Sequence, residues 1–265
     1  MRFSIPYPVR CAVFAAVLAG SCFVLGRGAL HLASTLPDAF PDAFPDRLST
    51  PAAVTEGTAD KNAGSGPLLV VDPGHGGEDG GATVAGISEK DVNLAVSLRV
   101  GDFCTLFGVP VLLTRTDDRL LYDAYGDLSD YRGKQKTYDL RNRLRMAEES
   151  GAAVLLSVHQ NQFPQTRYSG MQVYYSPNDP GSGELAERIR LSGRMLLDPY
   201  NDRETKRATN AIYLLHRIRI PAVLAECGFL SNPDERELLC TPSYQTRIAA
   251  ALFIPTAEFL AGLDG

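Results

Sequence analysis

Leu68-Leu69-Val70-Val71-Asp72-Pro73-Gly74-His75-Gly76-Gly77 is an unbroken apolar run that gives way to a proline- and glycine-rich turn. Four apolar residues without polar alternation fit a strand covered on both faces, the situation of a parallel sheet flanked by helices. From Glu89 to Phe107 the apolar positions Val92, Ala95, Val96, Val100, Phe103, Leu106 and Phe107 recur near the 3.6 period, with Ser88 placed to cap the helix. Val109 to Thr114 is a second strand, Asp139 to Glu149 a helix and Ala153 to Val158 a third strand. Gly170 to Tyr175 alternates like a half-exposed strand, Glu184 to Leu197 is helical, and Ala211 to Leu215 and Pro221 to Ala225 read as strands. Ser243 to Leu260 closes the chain with a helix. Strands alternating with crossover helices predict an α/β fold, a single domain with a largely parallel central sheet flanked by helices on both faces.

In such sheets ligands bind beyond the carboxyl ends of the strands. The turn at Asp72 to His75, His159 within Ser157-Val158-His159-Gln160-Asn161, and Glu226 after Pro221 to Ala225 all follow predicted strand ends. Only four histidines occur in 265 residues, and two of them stand here. Zinc favours imidazole and carboxylate ligands, and a catalytic zinc keeps three protein ligands and one open position. His75, Glu89 and His159 supply three, with Glu89 brought back over the strand end by the loop Gly80 to Ser88. Asp72 and Asp91 compete for the carboxylate place, and Asp72 also suits orienting a ligand histidine. The turn lacks Gly-x-Gly-x-x-Gly and Walker spacings, which disfavours a phosphate loop. Glu226 follows a strand too apolar for an unpaired carboxylate, so it needs a partner or a raised pKa, and the latter suits a general base.

The net charge of −5 and pI of about 5.4 give no overall basic field to attract nucleic acid. Arg2 and Arg10 precede an uncharged apolar run from Cys11 to Gly26, the pattern of a signal peptide or signal anchor over residues 1–32. Residues 33–66 are rich in Pro, Ala, Asp and Gly and repeat Pro-Asp-Ala-Phe from Pro37, which reads as a disordered linker ahead of a catalytic domain at 67–263. The protein is therefore expected outside the cytoplasm, membrane-anchored or secreted. Two of the five cysteines lie in the export segment, leaving Cys104, Cys227 and Cys240 at wide spacing with no C-x-x-C pair, so no disulfide framework is indicated.

Read together, Val71 to Ala82, Glu89-Lys90-Asp91-Val92-Asn93-Leu94, Leu113-Thr114-Arg115, Ser157 to Asn161 and Glu226-Cys227-Gly228-Phe229-Leu230-Ser231-Asn232 resemble the zinc-dependent N-acetylmuramoyl-L-alanine amidases of the amidase-3 type. The likeness spans Leu68 to about Leu260 and rests on all these stretches occurring in order. It implies zinc as cofactor, metal ligands at His75, Glu89 and His159, a catalytic Glu226, and hydrolysis of the lactyl amide between muramic acid and the stem peptide. Tyr168-Ser169-Gly170, Tyr174-Tyr175 and Ala211 to Leu215 look most like the CwlD-type spore-cortex and germination amidases, which implies a place in muramic-δ-lactam formation. Gln160, Gln162 and Cys227 depart from the residues common in the family and bear on subsite preference.

Asn161 is expected at the substrate or the oxyanion, and Arg115, Arg141 or Arg143 at peptide carboxylates, although structural ion pairing serves each arginine equally. Expected partners are peptidoglycan, an activator or regulatory protein, and the membrane through the N-terminal segment. Three rival readings stand beside the amidase: a zinc peptidoglycan carboxypeptidase, a thiol hydrolase using Cys227, and a non-catalytic cell-wall-binding regulator. The polar, Tyr- and Asp-rich segment 117–137 suits contact with substrate or partner.

Overall fold

The computed structural model describes residues 55–56, 66–121 and 134–263. The expected export segment, most of the linker, and residues 122–133 of the polar segment lie outside them.

The described strands are β1 (Thr55–Glu56), β2 (Leu69–Pro73), β3 (Thr83–Val84), β4 (Ile87–Ser88), β5 (Val111–Leu113), β6 (Val154–Asn161), β7 (Gln172–Tyr175), β8 (Lys206–Arg207) and β9 (Ala222–Phe229). The helices are α1 (Glu89–Phe107), α2 (Gln135–Glu149), α3 (Gly181–Leu196), α4 (Tyr213–Arg217), α5 (Pro233–Leu239) and α6 (Pro242–Leu263). One sheet takes the order β1-β5-β2-β6-β9-β7-β8, and β3 and β4 form a small separate hairpin. All pairings in the large sheet are parallel except β7 against β9. The fold is thus α/β with a largely parallel central sheet, as the alternation of elements predicts.

Strand alternation divides the core into two layers. Leu69, Val71, Leu113, Leu156, Val158, Val223 and Ala225 pack on one face with Val92, Val96 and Val100 of α1, Leu185 and Ile189 of α3, and Ile248 and Leu252 of α6. Val70, Leu112, Leu155, Ala222 and Leu224 face the other way, against Ala147 of α2 and Leu215 of α4. Both faces of β2 are therefore dry, which is why its run is continuously apolar. α6 is long and apolar enough to span a bilayer, but Ile248, Ala249, Leu252 and Leu260 are buried among α1 and α3, as in a core helix.

Two elements differ from expectation. Ala211 to Leu215 does not form a strand; Tyr213–Arg217 is a helical turn, because adjacent Leu214 and Leu215 and then Ile218 are all buried, a spacing a strand cannot put on one face. The sheet edge is occupied instead by β8, a pair of exposed basic residues without an apolar signature. β6 and β9 also run further than their apolar cores, so His159 and Glu226 lie on the strands rather than after them.

Candidate metal centre

β6 and β9 set the first pair of groups. His159 and Glu226 are direct neighbours on one rung of the parallel ladder, so their side chains leave the sheet on the same side. A register shift follows between His159 and Asn161, after which Asn161 pairs with Phe229.

His75 comes from the turn after β2 and has φ of +63°, a left-handed conformation that costs a non-glycine residue roughly 1 kcal/mol or more. The strain is held by two buried arginines. Arg143 of α2 donates from Nη2 to the His75 carbonyl at 2.7 Å and from Nη1 to the Pro73 carbonyl at 2.7 Å. Arg115 donates from Nε to the Pro73 carbonyl and from Nη2 to the Gly74 carbonyl, both at 3.0 Å. Asp72 neutralises this pair: its carboxylate accepts from Arg143 at 2.7 Å, Thr114 at 2.7 Å and Ser157 at 2.8 Å. Burial alone would raise the Asp72 pKa, but the Arg143 charge and these hydrogen bonds bring it down to about 2.

Glu89 opens α1 with its carboxylate turned inward. Oε2 accepts from the Ala82 amide at 2.9 Å and Oε1 from the Gln160 amide at 3.1 Å. Ser88 occupies the cap position without making the capping bond. Oε1 also lies 2.9 Å from His159 Nδ1 and 3.3 Å from His75 Nε2. Burial would raise the Glu89 pKa; the bonds and charges of the two histidines overcome it and hold the carboxyl well below the usual range. The imidazoles meet edge to face at 5.0 Å. Two glycines make room for this approach. A Cβ on Gly74 would fall 2.2 Å from the His159 ring, and one on Gly81, whose φ is +63°, 2.5 Å from Glu89 Oε2.

His75, Glu89 and His159 each offer a ligand atom, all within 4.8 Å of one another. The chemistry of this set fits a divalent cation. Asp79 Oδ2 lies 2.9 Å from His75 Nδ1, so the carboxylate fixes Nδ1 as the protonated nitrogen and leaves Nε2 toward the cluster. Burial would depress His75, but bonds to Asp79 and Glu89 raise it to about 9; such an anionic pocket holds a proton where a cation would sit. Glu226 is half-buried beside the trio, and its Oε2 is buried without a hydrogen-bond partner. Burial chiefly, with the Glu89 charge, pushes its carboxyl up to about 7 against the opposing histidines.

The remaining sequence candidates lie as follows. Asp72 acts on His75 through Arg143 rather than on the ring, and Asp79, not singled out in the sequence, takes the ring contact. Nothing in its Asp79-Gly80-Gly81 context marks this contact in the sequence. Asp91 is exposed on α1. Asn161 closes β6, half-exposed, with its carbonyl taken by the Leu230 amide at 2.8 Å. Arg115 and Arg143 are buried, with every guanidinium nitrogen bonded inside the protein, which leaves them outside reach of a peptide carboxylate. Arg141 is exposed on α2 and lies 5.7 Å from the Tyr138 ring centroid. Cys227 is 1% exposed in the core, and burial pushes its thiol far above the ordinary range, the reverse of what a thiolate nucleophile needs.

Comparison with known proteins agrees with this geometry. Residues 69–253 match the family described as N-acetylmuramoyl-L-alanine amidase. The germination-specific N-acetylmuramoyl-L-alanine amidase of Bacillus subtilis (strain 168) is 35% identical over 189 residues, 71% of this chain and 78% of the relative. Among solved structures, the CwlD amidase from Clostridioides difficile in complex with the GerS lipoprotein superposes with a TM-score of 0.69 at 37% identity, covering 74% of this chain and 99% of that one. The amidase AmiC2 of Nostoc punctiforme follows with a TM-score of 0.60 at 30% identity, covering 76% and 98%.

Proposed function

The chain belongs to the N-acetylmuramoyl-L-alanine amidase family, and on that premise we propose that it hydrolyses the lactyl amide of peptidoglycan with zinc at His75, Glu89 and His159 and with Glu226 as general base. The observation that carries the reading is the Glu226 carboxylate: a buried oxygen with no partner, on the rung next to His159, beside three converging ligand atoms. An unpaired buried carboxylate is costly and persists where it has work to do.

Zinc bound there would polarise the lactyl carbonyl and bring the pKa of a water to about 7. Glu226 would take the proton of the attacking water and return one to the amine of L-alanine as the C–N bond breaks. Asp79 would hold the His75 tautomer, and the Arg115 and Arg143 clamps would hold its backbone. Asn161, the last residue of β6, would meet the substrate carbonyl or its neighbours.

The likeness to a germination-specific amidase supports a role in the spore cortex, with the removal of whole stem peptides ahead of muramic-δ-lactam formation. It also supports action outside the cytoplasm. The solved relative in complex with a lipoprotein supports a protein partner of that kind for this chain. Digesting defined peptidoglycan with apo and zinc-loaded protein, followed by mass identification of products, tests the reading. A new N-terminal L-alanine with intact glycan is expected; release of a terminal amino acid instead would mean a carboxypeptidase.

A further inference from the structure

The rung that carries His159 and Glu226 continues to Gln172 of β7, whose amide donates to the Glu204 carbonyl at 2.6 Å. This bond draws the segment around Arg203 to the flank of Glu226 away from the histidines. The Arg203 guanidinium lies 4.7 Å from the centroid of Phe229, three residues beyond Glu226 on β9, and 5.7 Å from that of Tyr168. Its Nε donates to the Ser169 carbonyl at 3.1 Å, and its Nη donors make no hydrogen bond among the described residues. Phe163 meets Tyr168 edge to face at 5.2 Å and is itself 45% exposed. Burial chiefly, with the Glu226 charge, raises the Tyr174 hydroxyl, and the Arg203 charge opposes them.

A guanidinium laid on aromatic faces is pre-organised and weakly hydrated, and its free fork matches a carboxylate in two parallel hydrogen bonds. The two arginines expected to meet peptide carboxylates, Arg115 and Arg143, are spent inside the protein, whereas Arg203, whose charge works against the burial that raises the Glu235 carboxyl, makes no side-chain hydrogen bond through its Nη donors among the described residues and lies on Phe229, three residues beyond Glu226. We propose that Arg203, stacked on Phe229 and Tyr168, is a specificity-determining residue that binds a carboxylate of the stem peptide, the nearest being that of the residue after L-alanine. The charge assigns this flank to the peptide, since the N-acetylated sugars have no anion near the scissile bond except through the lactyl group that is itself bound as the amide. The proposal rests on the amidase reading.

Two synthetic muramoyl-peptide glycan fragments, differing only in whether the α-carboxyl of the second residue is free or amidated, test it with zinc-loaded full-length protein. Wild type should prefer the free acid. Arg203→Met, which keeps an apolar side chain of similar reach and removes the guanidinium, should raise KM about 10- to 100-fold on the free acid, leave kcat within about twofold, and leave the amidated substrate unchanged. Arg203→Lys, which restores charge without the planar fork, should recover part of the preference, and a melting curve for each variant checks folding. Equal changes on both substrates, or none on either, would overturn the proposal while leaving the amidase reading intact. Failure of wild type to release an L-alanyl amine from either fragment would contradict the amidase reading and the inference with it.

Discussion

As the proposed general base, Glu226 would need to be ionised to accept a proton, and burial pushes its carboxyl up to about 7, so it is only partly charged at neutrality in the metal-free site. Activity should therefore fall as pH drops below the neutral range, and a kcat/KM profile would display that acid limb. Glu226→Gln should retain stoichiometric zinc by elemental analysis yet lose about 10²–10⁴-fold in kcat, the scale of a general base. Gly81→Ala should act through the metal instead: its Cβ would fall 2.5 Å from Glu89 Oε2 at a left-handed position, so zinc affinity should drop sharply in a chelator competition. Both histidines, Glu89 and Glu226 could be picked out because each borders an apolar run or opens a periodic helix. Asp79 and Arg203 could not, since a turn aspartate and a loop arginine have no local pattern, and the ring and aromatic faces they meet are set by tertiary packing.

α2 supplies Arg143 to the backbone of a turn at the far side of β2, and this bond explains why a strained histidine keeps its place. The Asp72 carboxyl has a folded pKa of about 2, below its ordinary 3.8, so it contributes stability above about pH 4 that disappears as pH falls toward 2. The shift is worth ~2 kcal/mol. Asp72→Asn should be less stable than wild type at neutral pH, and the gap should narrow across that acid window in denaturant titrations; a gap that stays constant would refute the coupling. Sequence spacing reveals the charges of Arg115 and Arg143 but not their partners, which are backbone carbonyls and buried carboxylates rather than a peptide. β2, α1, β6 and β9 were legible from continuous apolar runs or 3.6 periodicity, whereas α4 was misread because a five-residue segment is too short for either period to declare itself.

Across the whole molecule, the parallel sheet delivers β2, β6 and β9 to one edge and α1 folds its first residue back over it, so a metal at the proposed site would tie together elements from both halves of the chain. Occupancy of such a site stabilises the fold by mass action, by about 2.7 kcal/mol at a ligand concentration one hundred times Kd. Zinc should accordingly raise the melting temperature of wild type and of Glu226→Gln, but not that of His159→Ala, in parallel thermal scans. The most direct measurement takes chelated protein, adds back zinc, and follows the release of L-alanine-terminated peptides from peptidoglycan by mass spectrometry in wild type and Glu226→Gln. Loss on chelation, recovery with zinc in wild type, and metal uptake without recovery in Glu226→Gln are the expected results. Undiminished peptide release by the chelated protein, or by metal-loaded Glu226→Gln, would contradict the assignment of these four residues.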